Sequence, residues 1–176
     1  RDRLNSLLKN ELGKNNHKEN HAEDSKKIDT KNYNIITKEN ELLSIIEDIK
    51  KKKFFSFDLE TSSLDYMEAK IVGISIALSD KKCYYIPIGH SSNIKYKQLS
   101  EKYVLDNLKP ILQSEKLKKI GHNLKYDRNV LVNYNINLVG IEHDSMLLSY
   151  VYDSTAIRHG LDNAAEKYLS HKTIHY

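Results

Sequence analysis

Two acids two residues apart, Asp58 and Glu60, stand at the end of the run Phe54-Phe55-Ser56-Phe57-Asp58-Leu59-Glu60-Thr61. Side chains alternate along a strand, so these acids project to one face while Phe57 and Leu59 turn to the other and pack. Two anions in one small, poorly solvated volume need a cation between them, or one must take up a proton. With oxygen donors only and no His or Cys nearby in sequence, the fitting cation is a hard divalent ion, Mg²⁺ or Mn²⁺, rather than Zn²⁺. The plainer alternative is a strand end whose acids reach water. A third acid bears on the choice. On a helix opening at Asn123, Leu124, Asp127, Leu131 and Tyr134 share one face, which places a carboxylate in an apolar stripe. Such a group must be paired, must cap, or must bind metal. Lys125 and Arg128 are too close in sequence to face it, so a cation from another element and a metal both remain open.

The elements that would position these acids can be read from periodicity. A short strand is expected near residues 33–36, then a helix capped by Thr37 with Leu42, Leu43, Ile45, Ile46 and Ile49 as its buried stripe and Lys50 to Lys53 at its end. After the strand 54–61 and a loop, residues 70–78 alternate: Val72, Ile74, Ile76 and Leu78 to one side, Gly73, Ser75 and Ala77 to the other. The small face would let a helix approach closely. Ser79-Asp80-Lys81 turns a hairpin into the strand 83–88. The pattern then changes to a helix capped by Ser100, a strand at 118–121, the helix from Asn123, a strand near Leu138-Val139, a helix at 145–152 capped by Asp144, and a helix from Asn163, where Glu166 would complete a capping box. An antiparallel meander followed by strand-helix-strand units predicts an α/β fold, a mixed sheet flanked by helices.

Bulk properties exclude rather than identify. Charged residues make up 30% of the 176 residues and mean hydropathy is −0.63. The longest apolar run, 71–78, is far short of the ~18 residues of a membrane span, so no membrane is expected. The lone Cys83 rules out a disulfide framework and favours a cytoplasmic setting. A net charge of +4 permits nucleic-acid binding without diagnosing it. Leu4, Leu7, Leu8 and Leu12 recur at helical spacing with no partner, and the following stretch is polar. Residues 1–12 are therefore expected to end a preceding domain, 13–32 to form a linker, and 33–176 to form the folded unit.

Three blocks carry a resemblance. Residues Phe57-Asp58-Leu59-Glu60-Thr61-Ser62-Ser63-Leu64-Asp65 resemble the first exonuclease motif of the bacterial DNA polymerase I family, and Gly121-His122-Asn123-Leu124-Lys125-Tyr126-Asp127-Arg128 resemble its second. Residues 158–169 look like the segment preceding its third. The resemblance implies a ribonuclease H-like fold and a 3′-5′ proofreading exonuclease domain of DEDD type, part of a DNA replication and repair polymerase. It implies two divalent cations, Mg²⁺ or Mn²⁺, with Asp58 bridging both, Glu60 holding the first and Asp127 anchoring the second largely through water. Thr61, Leu64, Asn123 and Tyr126 fall where the family meets a single-stranded or frayed 3′ end of DNA, Leu64 packing on a base and Asn123 donating to the backbone; each could equally be scaffold. The further implied partner is a polymerase domain downstream in the same chain, with residues 1–12 closing a 5′-nuclease-like domain and no oligomer expected. The family's third motif, Tyr-x-x-x-Asp, is absent from these 176 residues, so little or no nuclease activity is expected of this polypeptide by itself. His122 stands where the family more often has Gln, and His143 where it can have a wedging aromatic; a surface histidine is the plainer reading of the latter. The alternatives are a catalytically silent scaffold domain and a free-standing ribonuclease D-like exonuclease.

Overall fold

In the computed structural model, residues 33–91, 97–155 and 158–173 are described; the readings for residues 1–32 lie outside them. The strands are β1 (Tyr33–Ile35), β2 (Phe54–Thr61), β3 (Ile71–Ser79), β4 (Lys82–Pro87), β5 (Lys118–Gly121) and β6 (Ile141–Asp144). They form one sheet in the order β1-β4-β3-β2-β5-β6. The meander β2-β3-β4 is antiparallel, whereas β1 runs parallel to β4, β5 parallel to β2 and β6 parallel to β5. The helices among the described residues are α1 (Glu39–Lys52), α2 (Glu101–Leu112), α3 (Leu124–Val132), α4 (Ser145–Tyr152) and α5 (Leu161–Leu169). The expected mixed sheet with flanking helices is thus present.

Alternation in β2 sends Phe55, Phe57 and Leu59 into a single core with Ile74, Ile76 and Leu78 of β3, Ile86 of β4, and the apolar stripes of α1 and α2. Acids in the first turn of α1 and lysines in its last turn complement the helix dipole. Two expectations for α1 need correction. Leu43 is 44% exposed, because the stripe is narrower than the run of apolar residues. Thr37 does not cap; Lys38 holds that position without a side-chain bond, and the Thr37 N–H donates to Glu41 Oε2 at 3.4 Å.

The register of β3 also departs from strict alternation. Glu60 pairs with Gly73 but Thr61 with Ile71, so Val72 is the extra residue of a bulge. Ile71 is therefore buried and Val72 only partly so, the reverse of the expectation, and the Val72 carbonyl accepts from the N–H groups of both Ile88 and Gly89 at 3.0 and 2.9 Å. Over the small-residue face, the Tyr85 ring rather than a helix lies against Gly73, where a Cβ would stand 2.0 Å from the Tyr85 hydroxyl.

Three later elements begin or end away from their expected places. Leu138-Val139 is not a strand: Val139 donates to the Leu112 carbonyl at the end of α2, and Gly140, at φ 69°, turns the chain into β6. Tyr134 lies past the end of α3, though its hydroxyl still accepts from the Ile71 N–H at 3.0 Å. Helix α5 starts at Leu161 with Gly160 at its N-cap, so Asn163 is inside the first turn rather than a cap.

Candidate functional site

The connections of β2 and β5 leave the sheet in opposite directions. β2 turns back to β3 on one side, while β5 continues through α3 to β6 on the other. The ladder between these parallel strands covers Phe54↔Lys118, Phe55↔Lys119 and Ser56↔Ile120. β2 runs on to Thr61, so its last residues border a crevice at the carboxyl ends of two diverging strands, where open α/β sheets bind ligands.

Into this crevice α3 sends Asp127. Its Oδ1 accepts the Leu59 N–H at 2.9 Å, occupying the donor that the short β2-β5 ladder leaves over, and the residue is only 2% exposed. Asp58 is partly buried and Glu60 exposed. Burial pushes the Asp58 carboxyl up to about 7, and the charges of Asp127 and Glu60 push the same way. Burial likewise raises Asp127 to about 6, against the lowering effect of the Leu59 N–H, with Asp144 and Glu60 adding repulsion. The three acids of the sequence reading are therefore neighbours that repel one another, and among the described residues no Lys or Arg pairs with any of them.

The donor set fits a hard cation in charge and atom type, though not as a finished cage. Among the described residues no group of three or more His, Cys, Asp or Glu is arranged to hold a metal ion. Mg²⁺ is normally bound in such an incomplete way, by one or two carboxylates with water and substrate phosphate filling the remaining positions.

Around the acids, the other predicted residues divide. The Thr61 and Tyr126 hydroxyls lie 2.6 Å apart, and both bond to the Ser63 carbonyl. Their polar atoms are thus engaged in pinning the turn after β2. The loop that follows is laced by its own groups: Ser62 N–H to Lys70 O, Lys70 N–H to Ser62 Oγ, and Met67 N–H to Asp65 Oδ1. Leu64 projects from it 96% exposed. Asn123 precedes α3 in the left-handed conformation, φ 58°, and its side chain makes no cap bond. His143 is exposed on β6.

Close approach fixes the crevice floor. A Cβ on Gly121 would lie 2.7 Å from the Phe57 carbonyl oxygen and 2.5 Å from Leu124 Cδ2. Gly121→Ala is expected to lower stability by about 1–3 kcal/mol, as overpacking does, which a shift in the urea unfolding midpoint would measure.

Sequence reasoning assigned Asp144 the cap of α4, and its side chain does accept from Met146 and Leu147 N–H. It missed the second half of that role. The same carboxylate accepts from the Asn123 and Leu124 N–H groups at 3.0 and 2.8 Å, a contact across twenty residues that local patterning does not carry.

A mixed six-stranded sheet flanked by helices is the fold of the ribonuclease H-like exonucleases. The 3′-5′ exonuclease family of A-type DNA polymerases matches residues 33–176, and the chain belongs to it. It is 42% identical to DNA polymerase I of Pseudomonas aeruginosa over 133 residues, covering 74% of this chain and 15% of that protein. It is 39% identical to DNA polymerase I of Borreliella burgdorferi over 159 residues, covering 89% and 17%. The chain therefore spans about one-sixth of the length of these relatives. Among solved structures, the POL domain of Pol1 from M. smegmatis in complex with DNA primer-template and dNTP superposes with a TM-score of 0.64 at 18% identity, over 79% of this chain and 23% of that one.

Proposed function

We propose that residues 33–176 belong to the proofreading part of a cytoplasmic DNA polymerase I, removing nucleotides from single-stranded or frayed 3′ ends of DNA, with a polymerase domain downstream in the same polypeptide. The observation that supports this most is Asp127 seated on the Leu59 N–H near Asp58, both carboxyls raised chiefly by burial and, among the described residues, neither paired with a Lys or Arg. Asp58, Glu60 and Asp127 are the groups that would hold two divalent cations, Mg²⁺ or Mn²⁺. When bound, such ions supply a hydroxide near neutral pH and offset charge on the attacking and leaving oxygens. The chain's own residues orient the strand. Leu64, exposed at the loop tip, is placed to lie against the terminal base, Asn123 to donate to the sugar-phosphate backbone, and Thr61 with Tyr126 to keep the intervening turn rigid. DNA is preferred over RNA because the relatives named above are DNA polymerases.

The test is Mg²⁺-dependent release of 3′-terminal nucleotides from a labelled single-stranded DNA, by the 176-residue chain and by the same chain prolonged with a Tyr-x-x-x-Asp segment. Release by the prolonged chain that disappears with Asp127→Asn supports the reading; no release from either defeats it. Leu64→Ala provides a separate check. Its side chain is almost wholly exposed, so unfolding should move by less than about 0.5 kcal/mol, while affinity for a 3′-terminal oligonucleotide should fall in a fluorescence anisotropy titration.

A further inference from the structure

We infer that Asp144 is a positioning residue of the site, holding the turn that aims Asp127 at the end of β2. An ordinary helix start is capped by its own N-cap side chain with the backbone extended. Here the N-cap, Asn123, is in the left-handed conformation and caps nothing with its side chain. The donors that open α3 are met from β6 instead. Asp144 Oδ2 takes the Leu124 N–H at 2.8 Å, and Oδ1 takes the Asn123 N–H at 3.0 Å and the Met146 N–H at 2.9 Å. The residue is 9% exposed and pairs with Gly121 in the β5-β6 ladder. Next to it, Ser145 Oγ donates to the Gly121 carbonyl at 3.2 Å and lies 2.8 Å from His122 Nδ1. Residues 121–124 are thus clamped from one side.

The left-handed conformation of a non-glycine residue costs free energy and persists only where its surroundings enforce it. Asn tolerates it better than most, but an ordinary N-cap is extended. Without the Asp144 carboxylate, residue 123 relaxes toward the extended form and α3 enters the fold at another angle. Asp127, in the first turn of that helix, then leaves the Leu59 N–H. A carboxylate is the required group because all four N–H partners are donors and it accepts only.

The test uses the 176-residue chain with two substitutions. Asp144→Ser keeps a good cap for α4 but cannot reach α3. Asp144→Asn keeps the shape while turning an amide N–H₂ toward one set of donors. In both, the Leu59 amide should exchange with solvent on the order of tenfold faster, as its acceptor withdraws, with the Ile74↔Ile86 region of the ladder unchanged. Mn²⁺ binding, followed by water-proton relaxation, should weaken about tenfold, the scale for partners that orient metal ligands. Faster exchange at Asn123 and Leu124 with Leu59 unaltered in both variants would overturn the inference, since Asp144 would then be a cap and nothing more. The metal arm rests on the function proposed above, whereas the Leu59 arm does not. A wild-type chain that takes up no Mn²⁺ would count against that function, and the Leu59 amide would still decide the role of Asp144.

Discussion

Asp58→Asn is expected to make the metal-free chain more stable while abolishing its response to Mg²⁺ or Mn²⁺. The wild-type carboxyl titrates near 7 instead of 3.8 because burial strips water from it and Asp127 and Glu60 repel it. Holding it ionised at neutral pH therefore costs free energy, about 1.4 kcal/mol for every tenfold rise in its affinity for a proton. The amide is isosteric and uncharged, so most of that cost is removed, and the urea unfolding midpoint in EDTA should rise. Divalent ions should raise the wild-type midpoint by mass action and leave the variant's unmoved. Cleavage by a chain competent for it should fall on the order of 10³-fold, since a bound ion contributes several kcal/mol to the transition state. A variant that is less stable than wild type, or that still responds to Mn²⁺, would show that Asp58 is an ordinary structural acid.

The second large effect is on pH dependence. Both Asp58, at about 7, and Asp127, at about 6, are raised above 3.8 in the folded chain. Between those limits the folded state binds more protons than the unfolded one, so stability falls as pH rises. Their contribution is fully present below about 3.8 and is lost as pH passes through about 6 and then 7. His122, which burial lowers from 6.5, works the other way in acid, and Asp153, drawn down to about 2 by its bonds to Lys167 and Thr155, loses its contribution only in stronger acid. In EDTA the thermal midpoint should therefore decline from about pH 5 to pH 7.5. Saturating Mg²⁺ should flatten or reverse that decline, because ions bind the deprotonated form, and Asp58→Asn should make it shallower. A midpoint that climbs through this range without metal would remove the electrostatic basis of the site.

Much of this arrangement is legible in the order of the residues. The period of two in β2 puts Asp58 and Glu60 on one face, and the apolar stripe around Asp127 marks it as an acid that has to meet something inside the fold. What stays hidden depends on contacts between distant segments. Nothing local announces that Val72 is supernumerary, because the bulge exists only against Glu60 and Thr61 of the neighbouring strand. Leu138 and Val139 have the composition of a strand but spend their backbone on the end of α2. Leu43 reads as core because apolarity alone does not reveal how wide a face its helix buries. The motif leaves Tyr126 and Thr61 open between substrate contact and scaffold, and only the fold displays both hydroxyls bonded to the Ser63 carbonyl.

The opposite departures of β2 and β5 carry a consequence for variation in this chain. The segment leaving the notch from β2, residues 62–70, turns back to β3 on the side away from β5 and does not have to span the gap it borders. Insertions in it would enlarge a rim while the spacing of the acids stays governed by a few rungs of ladder and one closely packed glycine. Surface loops tolerate such changes readily, so the grip on a nucleic acid could diversify here without disturbing the chemistry beneath it.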